Sequence, residues 1–139
     1  MNRRSANSGI FLIELVIAIL VFAVCAAVCM RVFADARLMT QESLELSRGV
    51  MEAESAAECY KAANGDLAGT AALYGGTLTD PHTLTASFDK GWTFTEEDAR
   101  YLLTIEAGEN GYAQIRVSAV PSAGGEARSI FSITVKAVV

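Results

Sequence analysis

Proline is missing from the first 80 residues, and only Pro81 and Pro121 follow. A helix begun in that stretch meets no proline to break it. Histidine occurs once, at His82. With no second histidine and no paired cysteine beside it, a metal centre is not expected, and His82 reads as a surface residue in the Asp80-Pro81 turn. The three cysteines, Cys25, Cys29 and Cys59, are an odd and scattered set, so they form no disulfide framework. Cys25 and Cys29 stand four apart on one helical face and read as small apolar packing residues. No Lys/Arg cluster lies beyond the N-terminal head, which argues against a nucleic-acid surface. Also missing are a glycine-rich phosphate loop, a GxSxG elbow, an HExxH pair and a Cys/His pair in reach of a triad. Asp80, Asp89 and Asp98 do not have calcium-loop spacing, and Glu96-Glu97-Asp98 reads as a hydrated turn. No catalytic residue, metal or cofactor is predicted.

What the chain has is an apolar run. From Ile10 to Met30 every residue is apolar except Glu14. The run is long enough to cross a bilayer as a helix. Arg3 and Arg4 precede it, no acid does, and all 16 Asp and Glu come later. The leading charges predict a cytoplasmic N-terminus and an external C-terminal part. A secretory signal peptide is one reading, with Val32-Phe33-Ala34 as a passable cleavage site, but its apolar core is normally shorter. Ala26-Ala27-Val28-Cys29 fits a lipoprotein box poorly at Val28. A plain signal anchor is another reading. Neither explains Glu14, a costly carboxylate inside an apolar span.

The segment Gly9-Ile10-Phe11-Leu12-Ile13-Glu14-Leu15, behind a basic head, resembles the class III signal of type IV pilins and of the pseudopilins of type II secretion and DNA-uptake machines. The resemblance is tight over about 20 residues and architectural beyond them. It implies cleavage by a prepilin peptidase between Gly9 and Ile10, and N-methylation of Ile10. It implies a filament-assembly role for Glu14, whose family counterpart is thought to meet the terminal amine of a neighbouring subunit. It also implies an inner-membrane platform protein and self or homologous subunits as partners. Ile10 replaces the commoner phenylalanine or methionine, and the family's frequent helix-kinking proline is absent. Chemically, a lone carboxylate in apolar surroundings protonates or finds a cation. A new Ile10 amine would lie one helical turn from Glu14, on the same side.

Beyond the run, Met39, Leu46, Val50, Ala53, Ala57 and Tyr60 recur with helical spacing, with charges between them. Glu45 with Arg48, and Arg48 with Glu52, are spaced for pairing along the helix. Asn64-Gly65 is a stop signal. One helix is therefore expected from Phe11 to Ala63, roughly 80 Å at 1.5 Å per residue, with Gly49 marking a bend or a close approach. The alternative is a transmembrane helix followed by a separate amphipathic one.

Residues 65–83 read as a connecting loop with a short helix over Leu67–Tyr74. From residue 84 the period changes to two. Leu84–Phe88 and Trp92–Thr95 suggest a small hairpin. Arg100–Glu106, Tyr112–Val120 and Ser129–Ala137 suggest a three-stranded antiparallel meander. Tyr101, Leu103 and Ile105 share one face; Ala113, Ile115, Val117 and Ala119 share another; Phe131, Ile133, Val135 and Ala137 a third. Such a sheet needs cover, and the 39–60 stripe supplies it. Phe88, Trp92 and Phe94 read as core or sheet-edge aromatics.

The expected fold is α+β: a long N-terminal helix packed by its second half against a small antiparallel sheet. Its segments are a leader at 1–9, a transmembrane part at 10–30, an amphipathic continuation at 31–64, the loop at 65–83 and the sheet at 84–139. The expected function is a structural subunit, major or minor, of a type IV pilus-like filament or a pseudopilus, anchored in the inner membrane with its C-terminal part outside. The alternative is a single-span anchored binding or sensor module that never polymerises.

Overall fold

In the computed structural model, residues 3–121 and 125–138 are described, with side chains from residue 9 onward. Helix α1 (Arg3–Ala62) is followed by helix α2 (Leu67–Tyr74) and strands β1 (Thr77–Asp80), β2 (Thr83–Phe88), β3 (Tyr101–Ala107), β4 (Tyr112–Ala119) and β5 (Arg128–Lys136). The fold is α+β, a long N-terminal helix packed against a five-stranded antiparallel sheet of order β1-β2-β3-β4-β5. The chain divides into two units, Met1–Glu42 and Ser43–Val139, and α1 contributes to both.

The first unit is the N-terminal part of α1. Every side chain from Gly9 to Glu42 is exposed, although the stretch to Met30 is almost wholly apolar. Among the described residues α1 is the one helix long and apolar enough to cross a membrane. No proline interrupts the helix along its length. It begins at Arg3, earlier than Phe11, because nothing in the head interrupts it and Gly9 alone is a small penalty.

In the second unit the rest of α1 lies under the sheet. Gly49, Ala53, Ala56, Ala57 and Tyr60 are its buried positions. The sheet answers with Leu84, Phe88, Leu103, Ile105, Ile115 and Val117, all essentially inaccessible. The covering stripe is shorter than expected: Met39 and Leu46 are exposed. It is also smaller in side-chain size, with Ala56 added. Small residues let backbone and sheet approach closely, and at Gly49 an added Cβ would meet Ile130 Cγ2 at 3.4 Å and Val117 Cγ1 at 3.5 Å. Gly49 therefore marks a close approach inside one continuous helix. The helix ends where Asn64 (φ 54°) and Gly65 (φ 83°) turn left-handed, and the Gly65 amide donates to the Tyr60 carbonyl.

The sheet departs from the expected meander in two places. The stretch read as a connecting loop holds strand β1, which pairs with β2 through a turn at Pro81 and His82. Its four residues are all exposed, so no burial pattern announces it. Conversely, Trp92–Thr95 forms no strand, and a single bridge joins Phe88 to Phe94. Asp89 Oδ1 accepts from the amides of Gly91 (2.7 Å) and Thr93 (2.9 Å), and Trp92 adopts a φ of 63°. That side-chain capture curls the chain before it can extend. Trp92 then stacks on Tyr101, rings 4.1 Å apart. Phe88 is buried, Trp92 is half-buried and Phe94 is exposed. In β5 the register shifts beside Val117, leaving Ile130 as the extra residue that reaches the Gly49 backbone. The turn expected over Pro121–Glu126 includes residues 122–124, which lie outside the described residues.

Candidate functional site

The residues singled out in the sequence sit on α1. Gly9, Ile10 and Glu14 are helical and exposed, and no atom comes near the Cβ position of Gly9. The side chains of Arg3 and Arg4 lie outside the described residues. Ile10 and Glu14 are four apart, so they share a face one turn apart. Continuing at spacings of four, three and four, Ala18, Val21 and Cys25 extend that stripe, with Cys29 a turn further. Glu14 has no hydrogen-bond or ion-pair partner among the described residues. The site is thus an apolar helix surface with one carboxylate in it. Past the apolar run, the Arg37 guanidinium lies over the Phe33 ring, 5.1 Å from its centre.

The second unit carries polar ties that the helix pattern did not reveal. Glu45 and Glu52 were expected to pair with Arg48 along α1. Both instead reach across to other elements. Glu45 Oε1 accepts from the Tyr101 hydroxyl at 3.1 Å, and its Oε2 takes Arg128 at 2.9 Å. Glu52 Oε2 accepts from the Tyr74 hydroxyl at 2.9 Å. Burial first, then the neighbouring carboxylate, raises the Tyr74 phenol well above its ordinary range; Tyr101 is raised for the same two reasons, burial leading. These contacts fasten α2, β3 and β5 to the helix. The signal that could have found them is weak: acids one or two positions off the apolar stripe, with tyrosines in the sheet.

His82 is exposed in the β1–β2 turn, and its carbonyl accepts from Ala107. Cys59 is half-buried; Cys25 and Cys29 are exposed, and all three are free thiols. Among the described residues no three metal-ligating side chains come together. Comparison with protein-family models finds no match, and neither curated proteins nor solved structures give a significant one.

Proposed function

We propose that the chain is the precursor of a structural subunit of a type IV pilus-like filament or of a secretion or DNA-uptake pseudopilus. The observation that carries this reading is the bare apolar surface of α1 from Ile10 to Met30, broken by one carboxylate, Glu14, the fifth residue after the Gly9-Ile10 junction. A prepilin peptidase cuts at that junction and the Ile10 amine is methylated. In the membrane, helix sides meet lipid with little force drawing them together. Moved by a platform protein into a helical array, the same sides pack on copies or homologues. Glu14 then selects the register that brings it a neighbour's Ile10 amine. Ala18, Ala23, Ala26 and Ala27 permit close helix contact. The sheet units coat the outside.

Substituting Glu14→Ala tests the reading. The variant should stay membrane-bound yet fail to enter sedimentable filaments in its host. Unchanged incorporation would sink the assembly role. An anchored module that does not polymerise would show no filaments with either residue.

A further inference from the structure

A meander leaves both of its outer strands unpaired on one side, and here those strands are unlike. β1 is short, has all four residues exposed and carries Leu78, which lies opposite buried Leu84 and so sits on the helix side of the sheet. Leu78 is nonetheless 43% exposed, although α2 packs beside its strand. The opposite edge, β5, has the complementary feature. Between β5 and the outer flank of α1 runs an open groove of about 560 Å³. Its apolar part is Met51, Ala57, Ile133 and Val135, with Glu54, Glu58 and Lys61 on the rim. Met51 is 56% exposed. One edge thus offers an apolar knob and the other an apolar slot.

We infer that β1 of a second copy of this chain docks on β5 and continues the sheet from one head into the next. This rests on the filament reading, which brings copies side by side with the same polarity. Every neighbouring pair in the sheet is antiparallel, so β1, β3 and β5 run in the same direction. A neighbour standing the same way up therefore presents β1 parallel to β5. The faces and the β1 bulge then select a register. Thr77 and Asp80 are on the outer face, and Leu78 is on the helix side. On β5, Thr134 and Lys136 are outer and Val135 is inner. Aligning Thr77 with Thr134 sets Leu78 level with Val135, over the slot, and Asp80 level with Lys136. The antiparallel alternative matches faces too, but moves Asp80 away from the lysine. Charge complementarity therefore favours the parallel docking. The contact is heterologous, a different patch on each partner, and such contacts propagate as open helical arrays when the rotation does not close.

The test is cysteine cross-linking in the full chain, expressed in its host, with Cys25, Cys29 and Cys59 replaced by serine. Two differently tagged copies carry Thr77→Cys and Thr134→Cys. The expected result is a mixed-tag disulfide dimer in sedimented filaments. It should be lost with Asp80→Lys and regained with Asp80→Lys plus Lys136→Asp. A Thr77→Cys copy against Thr104→Cys, in the middle of the sheet, should give none. Glu14-dependent filaments without the 77–134 product would overturn the docking and leave the filament reading standing. Equal cross-linking to position 104 would overturn the docking as well. Absence of both filaments and product would overturn the two together.

Discussion

Replacing Gly49 by alanine should stabilise the sheet-bearing unit, whereas replacing it by leucine should do the reverse. Gly49 is an interior helical residue, where glycine costs about 1 kcal/mol relative to alanine. The new Cβ would lie 3.4 Å from Ile130 Cγ2, 3.5 Å from Val117 Cγ1 and 3.8 Å from Trp92 Cη2, all ordinary contact distances. Each adds on the order of 0.1–0.2 kcal/mol of dispersion. The net expectation is a gain of about 0.5–1 kcal/mol, part of it through a stiffer unfolded chain. Leucine at the same place has nowhere to put its outer carbons except through those three side chains. Overpacking of that kind costs about 1–3 kcal/mol. The assay is urea unfolding of the full chain in detergent, followed by emission of Trp92, the single tryptophan. Because Trp92 borders the mutated position, its folded-state emission should also shift in the leucine variant. A destabilising alanine would refute the claim that the space at Gly49 accepts a Cβ, and a neutral leucine would refute the claim that helix and sheet touch closely there.

Gly76 has a φ of 99° and its Cβ position lies 2.6 Å from the Thr85 carbonyl, so Gly76→Ala should cost about 1–3 kcal/mol or unpair β1; amide exchange at Thr77–Asp80 would show it, and an unchanged rate would contradict it. Ile115→Ala, at the centre of the sheet's inner face, should lower stability by about 2–5 kcal/mol in the same urea assay. Tyr74 and Tyr101 are held protonated when folded, with pKa raised above the unfolded phenol. The folded state therefore keeps protons that the unfolded state sheds, so stability is full below about pH 10 and falls as pH rises beyond it. Tyr74→Phe should flatten that alkaline decline while costing about 1 kcal/mol at neutral pH through the lost bond to Glu52.

Periodicity made much of the fold legible. The alternation in Tyr101–Ala107 and Tyr112–Ala119 is reproduced in what is buried as far as Val117, with Ala119 only half-buried. Helix α2 lies over Leu67–Tyr74 as expected, and the Asp66 carboxylate caps it by accepting from the Gly69 amide. β1 was not legible, because an exposed edge strand of threonines around one leucine has no half-buried pattern to detect. Trp92–Thr95 misled in the other direction. Its alternation is that of a strand, but the Asp89 carboxylate captures two nearby amides and bends the chain. The covering stripe on α1 was legible in Ala53, Ala57 and Tyr60, which are buried, but was drawn too far toward the N-terminus, since Met39 and Leu46 are exposed. Met39 and Leu46 fit the spacing, yet the contact uses Gly49 and alanines, whose small size a hydrophobic pattern undervalues. At the other end of the helix, Gly9, Ile10 and Glu14 drew attention through order and chemical oddity, a signal independent of packing.

The most direct test of the central claim is the intact mass and N-terminal sequence of C-terminally tagged protein from host membranes, with and without the prepilin peptidase. The account predicts a chain that begins at N-methylated Ile10 only when the peptidase is present. A chain retaining Met1, or one cut after Ala34, would contradict it.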